Sequence, residues 1–350
     1  MDPLLVTLQL LLGAFGVLGV ATAAPGDALD QALRFGAAFV LTLVVARVPP
    51  RAVVRFAPAL YAVSLVLLVL VLFLGIAPST GDARRWLPLG PVTFQPSELM
   101  KVAVIAYLAA FFHNHLGDWQ IWRPMVVVGV AAGLIVLQPN VSTALFVFVL
   151  AFAIMIAAGT SLQRLVSIGT AAALIAVAIG APYLSHLDYL GDRLRGFGDA
   201  LAGRPDLAGI GYQAERARQA LARAGAFGVG PSRPLSVPAG ETDMVAISIG
   251  QALGLVGLSV LIVAFVLLVA RTFRIAAAAR GPAALLAAGA GLYVAGQASL
   301  NLLVAAGLLP VTGVPLPLVS YGFNSAFSVS IALGFVHAAF REARARGAPL

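Results

Sequence analysis

Asp243 ends the tripeptide "ETD", residues 241–243, directly before a long apolar run. Ionisable residues at the edge of a membrane-sized segment are costly and are candidate functional groups. Two interpretations remain open from the residues alone. Thr242 can occupy the N-cap of the following helix with Asp243 in its first turn. Alternatively, the carboxylates of residues 241–243 meet an Arg-rich loop at the membrane surface, a combination that suits a substrate with a lipid tail and a phosphate linker.

A second chemical candidate is the pair Glu98 and Lys101 in "QPSELMK", residues 95–101. Pro96 suits the first turn of a helix, and the two charged residues then lie three positions apart on one face. The spacing is consistent with a structural ion pair and equally with a binding role.

Three polar interruptions separate other apolar runs. Residues 84–91 combine two Arg and a Trp with Pro and Gly, which predicts a shaped, partly inserted loop. Residues 137–146 contain Pro and Asn and predict a tight turn. Residues 307–325 are rich in Pro and Gly, and their Ser320 and Tyr321 are interpreted either as structural groups or as the lining of a cavity, because irregular backbone within a membrane must be buried or line a cavity.

The elements that must position these residues are membrane helices. The chain has 350 residues, of which 61% are hydrophobic and 10% are charged, whereas soluble domains are about half apolar and a quarter charged. Apolar runs of about 20 residues indicate helical spans rather than the alternating strands of a membrane barrel. We predict an all-α integral membrane protein, a single polytopic domain over residues 1–350, with about ten spans. The expected spans are 3–22, 32–48, 52–77, 97–114, 124–138, 143–160, 165–186, 243–270, 281–309 and 318–340.

The positions of Arg predict the orientation, because positive charge in short loops marks the cytoplasmic side. With both termini inside, the cytoplasmic side holds Arg47, Arg51, Arg55, Arg123, Arg164, Arg271, Arg274, Arg280, Arg341, Arg344 and Arg346. The short outer loops then hold only Arg84 and Arg85. Residues 187–242 are Arg-rich but long, so they are expected to form a large extracytoplasmic loop between spans seven and eight.

Within that loop, "YQAERARQALARAGA" predicts an amphipathic helix on the outer membrane surface. Its apolar positions are Ala217, Ala220, Leu221 and Ala224. Near a membrane, the net charge of +8 favours anionic headgroups and phosphate-bearing ligands, and it does not indicate nucleic acid. There are no cysteines, no metal-ligand spacing of His, and no Walker, G-x-S-x-G or H-E-x-x-H motif, which argues against ATP-driven work and zinc hydrolysis.

Five segments together resemble a known family: "ARRWLPLGPVTFQPSELMK", "YLGDRLRGF", "GIGYQ", "ETDMVAISIGQALGLVG" and "GLLPVTGVPLPLVSYG". The chain resembles, over nearly its whole length, the SEDS family (shape, elongation, division and sporulation) of bacterial cell-wall polymerases. It is somewhat more similar to the elongation member, RodA, than to the division member, FtsW. The resemblance implies a peptidoglycan glycosyltransferase of the bacterial cytoplasmic membrane that joins lipid II units outside the membrane and releases undecaprenyl pyrophosphate. It also implies a class B penicillin-binding protein as partner, help from a divalent cation such as Mg²⁺ or Mn²⁺, and no organic cofactor.

On this resemblance, Asp243 takes the position of the essential outer-loop acid and is the expected catalytic base. Substrate-binding roles are expected of the residues that match the other motifs: Arg84, Arg85, Trp86, Glu98, Lys101, Arg193, Gln213, Ser320 and Tyr321. The chain departs from the family pattern at Asn140, Glu241, Gln251, Phe323 and Asn324. Asn140 removes a usual Asp, so a metal or base role there is in doubt, and Phe323 and Asn324 are expected to narrow the nearby cavity.

Two other functions suit the same pattern of spans. One is a flippase for a lipid-linked precursor, and the other is a non-catalytic scaffold for a penicillin-binding protein. The sequence shows neither inverted repeats nor paired broken helices, which argues against a transporter.

Overall fold

The computed structural model describes residues 1–77, 84–90, 92–114, 121–170, 191, 195, 198, 210–232 and 236–348. Its helices are α1 (Pro3–Ala23), α2 (Ala28–Val45), α3 (Pro50–Leu74), α4 (Pro96–Asn114), α5 (Trp122–Val136), α6 (Val141–Ala157), α7 (Ile210–Ala224), α8 (Val245–Ala278), α9 (Pro282–Ala305) and α10 (Phe323–Ala345). A short 3₁₀ helix, Pro25–Asp27, precedes α2. The strands β1 (Leu87–Leu89) and β2 (Val92–Phe94) form one antiparallel hairpin.

Nine of the ten predicted membrane spans are present as helices in the described part of the chain. Among the described residues, six helical segments are long and apolar enough to cross a membrane, and α5 and α6 are shorter apolar helices. Residues 162–170 are helical at the start of the predicted span 165–186, and the remainder of that span lies outside the described residues. Pro96 begins α4 as the sequence predicts.

The helix α4 lies at the centre of the bundle. It contacts α3, α5, α6, α9 and α10, and nearly all of its residues up to Phe111 are buried. A helix that is apolar all round lies either within a protein core or against lipid, and here the neighbouring helices cover it. Glu98 and Lys101, on the first turns of α4, are therefore enclosed by other helices.

The loops that carry the candidate residues meet at one end of the bundle, here called the site end. Hydrogen bonds join the start of α2 to residues 320–321, residues 241–242 to the same segment, and the hairpin to the start of α10. The start of α1 and the end of α10 lie at the opposite end, where Asp2 forms an ion pair with Arg271 in the second half of α8. The tertiary structure thus gathers segments that are more than 200 residues apart.

The helix α1 approaches the site end very closely because glycines face its neighbours. A Cβ atom on Gly16 would lie 2.7 Å from the Val319 carbonyl oxygen, and one on Gly19 would lie 2.7 Å from a Val245 methyl. Small residues let helices in membranes pack backbone against backbone. As a result, α1 directly supports both segments that frame Asp243.

The helix α8 is broken at Gly254, which the sequence analysis missed. Gly254 has φ +68° and ψ −162°, a non-helical conformation within the 34 residues of α8. The turn after α7 fills the break with backbone hydrogen bonds, which run from Leu255 N to Gly225 O (3.1 Å), from Val256 N to Ala226 O (3.1 Å) and from Val229 N to Gln251 O (2.8 Å). The backbone groups freed by the break are thereby satisfied, as an apolar environment requires.

The amphipathic helix is present as α7, but its apolar face packs against other residues of the protein. Ala217 and Ala220 are buried in a cluster with Val237, Met244 and Ile247. The expected contact with the membrane surface is replaced by a contact within the protein, because the segment that leads into α8 folds back over α7. Its apolar side chains cover the apolar face of α7.

Candidate functional site

Asp243 lies in a turn before α8 and does not cap the helix. The helix begins at Val245, and Met244 occupies the N-cap position without a side-chain hydrogen bond. The Thr242 hydroxyl is directed back to the Ala239 carbonyl oxygen at 3.5 Å. The helix-cap interpretation of residues 242–243 is therefore wrong, because the chain makes an extra turn over residues 238–244 before the helix starts.

Three successive carbonyl groups of this turn accept hydrogen bonds from distant segments. The Glu241 oxygen accepts from the Tyr321 backbone N–H at 2.8 Å. The Thr242 oxygen accepts from the Ser320 hydroxyl at 2.7 Å, and the Asp243 oxygen accepts from the Asn301 side-chain amide at 2.8 Å. The backbone that carries the Asp243 carboxylate is thus held at three consecutive peptide groups. The carboxylate itself is half-buried.

Ser320 connects this turn to the loop between α9 and α10. Its hydroxyl donates to the Thr242 oxygen and accepts from the Leu316 N–H at 2.7 Å, and the side chain is buried. A small hydroxyl that donates and accepts in this way braces two loops against each other. The structure thus uses Ser320 to support the Asp243 turn, and its predicted contact with substrate stays a prediction.

Two amides one helical turn apart on α9 extend the network. The Gln297 side chain donates to the Pro315 carbonyl oxygen and to the Ser325 hydroxyl, both at 2.9 Å. Asn301 donates to the Val314 carbonyl oxygen at 2.9 Å as well as to Asp243. Both amides are buried, so α9 anchors the loop at residues 314–315.

Glu98 and Lys101 form a buried ion pair. The Lys101 Nζ atom lies 2.6 Å from Glu98 Oε1, and the side chains are 1% and 5% exposed. Lys101 also donates to Gln297 Oε1 at 3.2 Å and lies over the rings of Phe146 and Tyr293. This pairing satisfies charges that would otherwise be costly to bury. The expected substrate-binding role of the two residues stays a prediction.

Arg84, Arg85 and Trp86 lead into the β1–β2 hairpin. The Arg84 side chain is exposed, and the Trp86 backbone pairs with Ile76 at the end of α3. Arg85 donates from Nε to the Gln138 carbonyl oxygen at 3.2 Å and also donates to the next carbonyl in the α5–α6 turn. Arg85 therefore fixes the hairpin to that turn, and Arg84 presents its charge outward.

Asn324 clamps the same hairpin onto α10. Its side-chain oxygen accepts from the Gln95 N–H and its amide donates to the Thr93 carbonyl oxygen, both at 3.0 Å. One side chain thus forms hydrogen bonds with a carbonyl group within β2 and with the backbone N–H that follows the strand. The departure from the family pattern at position 324 has a visible structural role, and Phe323 beside it packs on Phe327.

Tyr321 is held by charged residues of α2. Its hydroxyl donates to Asp30 at 2.6 Å, and the Arg34 guanidinium lies 4.8 Å from the ring centroid. The hydrogen bond to the Asp30 carboxylate, aided by partial burial, raises the pKa of Tyr321 to about 12. The phenol therefore stays protonated over the whole physiological range.

Gln213 joins α7 to the segment before Asp243. Its amide donates to the Pro238 carbonyl oxygen at 3.0 Å, and Arg216, one turn later, donates to Ser236 at 3.2 Å. Arg193, the remaining predicted binding residue, lies outside the described residues. Much of the expected loop over residues 187–242 is likewise outside them.

Four residues of the network were missed from the sequence: Asp30, Tyr293, Gln297 and Asn301. A signal existed for two of them. Gln297 and Asn301 are polar residues four positions apart in an otherwise apolar span, a spacing that puts them on one helix face. Polar residues within membrane helices are functional or structural anchors more often than not. Tyr293 donates to Glu98 at 3.4 Å and has no comparable sequence signal.

The fold and this site define an all-α, multi-pass membrane protein whose loops converge on one acidic turn. A family model described as cell cycle protein (FtsW, RodA and SpoVE) matches residues 7–345. The chain therefore belongs to the FtsW/RodA/SpoVE family, which is the SEDS family expected from the motifs.

Relatives by sequence carry the name "probable peptidoglycan glycosyltransferase FtsW". The one from Allochromatium vinosum is 33% identical over 312 residues, which cover 85% of this chain and 76% of that protein. The one from Coxiella burnetii is 32% identical over 311 residues, which cover 85% of this chain and 81% of that protein.

Solved structures give the same result. A chain from a peptidoglycan synthase complex that coordinates polymerization and crosslinking superposes with a TM-score of 0.82 at 29% identity, over 98% of both chains. RodA of Thermus thermophilus superposes with a TM-score of 0.73 at 28% identity, over 97% of this chain and 96% of that one.

Proposed function

We propose that this chain is a peptidoglycan glycosyltransferase that polymerises lipid II, with Asp243 as general base. The family membership and the names of the relatives support the glycosyltransferase class. The observation that carries the role of Asp243 is the set of three hydrogen bonds to the carbonyls of residues 241–243. A catalytic base must keep a fixed position relative to the hydroxyl that it deprotonates.

In the proposed reaction, an acceptor sugar hydroxyl attacks the anomeric carbon of the donor sugar, and the bond from that carbon to the lipid diphosphate breaks. Asp243 takes the proton of the attacking hydroxyl, a contribution of about 10²–10⁴-fold to the rate. The leaving diphosphate gains negative charge, which cationic side chains stabilise. Arg84, which is exposed at the start of the hairpin, is proposed for that contact.

A divalent cation, Mg²⁺ or Mn²⁺, is part of this proposal. Within the described ranges, no three His, Asp or Glu side chains are grouped closely enough to hold a metal by themselves. Mg²⁺ is commonly held by one or two carboxylates together with substrate phosphates. The substrate phosphates would supply most of its ligands, and the cation would neutralise charge on the diphosphate while Asp243 stays the base.

The proposed setting is the bacterial cytoplasmic membrane, with both termini cytoplasmic and the site end outside. The distribution of Arg supports this orientation, since Arg47, Arg271, Arg341 and Arg344 lie toward the end of the bundle that carries the termini. A class B penicillin-binding protein is the proposed partner, and the match to a chain of a peptidoglycan synthase complex supports it.

We assign the chain to cell elongation and shape, as its motifs suggest, with division as the alternative that the FtsW-named relatives favour. Complementation of elongation-depleted and division-depleted strains distinguishes the two. Rescue of division alone would overturn the elongation role and leave the enzyme class untouched.

The decisive experiment is polymerisation of labelled lipid II by the purified protein, with and without its penicillin-binding protein, followed by gel separation of the glycan strands. Asp243→Asn should lower the rate by at least about 10²-fold. Glu241→Gln is the matched control, because it removes a carboxylate from the same turn and leaves the backbone hydrogen bonds in place. A parent rate in a folded Asp243→Asn protein would refute the assignment of the base.

The same assay separates the two rival functions. A flippase has no membrane to work across in detergent, so glycan synthesis by the solubilised protein excludes flipping as the sole activity. A non-catalytic scaffold would support normal growth of cells that carry Asp243→Asn as their only copy. Loss of growth with normal protein level and partner binding supports the enzyme.

A further inference from the structure

We propose that Asn301 is a positioning residue that sets the place of Asp243 through its main chain. The inference rests on the proposed function, since it names what holds the proposed base. Asn301 lies on α9, 58 positions along the chain from Asp243. Its side chain is 1% exposed, so it acts on the carboxylate only through the atoms that it touches.

The Asn301 amide joins two segments with one nitrogen atom. Its two N–H groups donate to the carbonyl oxygens of Asp243 at 2.8 Å and Val314 at 2.9 Å. One segment leads into α8 and the other belongs to the loop between α9 and α10. A planar amide fixes the direction of both hydrogen bonds, so the two carbonyls are set relative to each other and to the rigid helix α9.

The second of these segments also borders the reacting group. A Cβ atom on Gly313 would lie 3.8 Å from Asp243 Oδ2, so the carboxylate is next to the residue that precedes Val314. Asn301 thus holds both the main chain that carries the carboxylate and the loop that lies beside it. Loss of the Asn301 hydrogen bonds would therefore displace the Asp243 main chain and the loop at Val314 together.

Gln297 ties the same loop to α9 one turn away from Asn301. One turn away on the same face of α9, it donates to the Pro315 carbonyl oxygen at 2.9 Å and accepts from Lys101 at 3.2 Å. Two adjacent carbonyls of the loop, at 314 and 315, are therefore held by two adjacent amides of one helix. Through Gln297, the buried Glu98–Lys101 pair is connected to the same loop, which gives that pair a supporting role at a distance from the reaction.

The test uses Asn301→Leu, which keeps the size of the side chain and removes both donors. A positioning role predicts that kcat for lipid II polymerisation falls by about 30–100-fold, since a misplacement of about 1 Å can cost 10²-fold in rate. KM should stay within about threefold, because Asn301 has no proposed contact with substrate. Asn301→Ser, a smaller change whose hydroxyl cannot bridge both carbonyls, is measured in parallel in case the Leu variant folds poorly.

The matched control is Gln9→Leu. Gln9 is also a buried amide, and it bonds His337 at the end of the bundle away from the site. Equal thermal stability of the Asn301 and Gln9 variants, together with a loss of kcat in the Asn301 variants alone, supports positioning.

Three outcomes of the comparison between variants would overturn the inference. Parent-like kcat in both Asn301 variants would show that the hydrogen bonds do not matter. A raised KM with unchanged kcat would indicate a ligand contact, and equal losses of kcat in the Gln9 and Asn301 variants would indicate general destabilisation. A parent protein that makes no glycan overturns the proposed function and this role with it, and that result is distinct because it is seen before any variant is compared.

Discussion

Substitution of Gly254 by Ala tests the break in α8. At φ +68° and ψ −162°, Gly254 occupies a backbone region that is essentially restricted to glycine. A Cβ atom there would lie 2.3 Å from the Ala226 carbonyl oxygen, well inside the contact limit. Because the contacting atom belongs to the backbone, it cannot rotate away, and the turn after α7 has to move away from α8.

The magnitude follows from two contributions. The backbone conformation costs a non-glycine residue about 1–3 kcal/mol. Retreat of the turn weakens the hydrogen bonds at the break, each worth about 0.5–1.5 kcal/mol. Together they give a loss of about 3–5 kcal/mol in the free energy of unfolding. At about 2 °C per kcal/mol for a chain of this size, Tm falls by about 6–10 °C.

Thermal unfolding in a single detergent measures this shift in Tm. Unfolding is monitored as the loss of the monodisperse elution peak. Gly129→Ala in α5 is the control, because a Cβ at Gly129 meets no heavy atom within 4 Å and Ala is the better helix former by about 0.5–1 kcal/mol. The control should melt at or slightly above the parent temperature. If Gly254→Ala melts within about 2 °C of the control, the turn does not close the break as described and the reasoning fails.

Two further predictions concern buried charges. Lys101→Met leaves the Glu98 carboxylate buried without its partner and should cost about 3–5 kcal/mol, and the double variant with Glu98→Gln should regain much of the lost Tm. Asp2→Asn tests the far end of the bundle: burial opposes ionisation of Asp2, but hydrogen bonds from Arg271 and from the backbone outweigh it and lower the pKa of Asp2. Its stabilisation is therefore complete above the unfolded-state pKa of about 3.9 and is lost as the pH falls through the lower folded value. Parent and variant should differ by about 1–3 kcal/mol near pH 7 and converge in a Tm series as the pH falls below the unfolded-state value, and a gap that widens toward low pH would contradict this.

The sequence predicted the helices well, because long apolar runs and Pro and Gly boundaries are local signals. It placed the start of α4 at Pro96 and put Glu98 and Lys101 on one face, and the structure brings the two charges to 2.6 Å. It also located α7 and its apolar face. The partner of that face was wrong, since nothing local shows that residues 237–247 fold over it.

The sequence by itself determined the class of protein, the spans and the residue types at the site. Only the tertiary structure decided that Asp243 precedes the helix rather than capping it, and that its turn is held by Ser320, Tyr321 and Asn301. Those bonds join residues 58 to 80 positions apart by their numbers, so no local pattern records them. The physical reason is that buried carbonyl groups must find donors wherever the packed helices bring them.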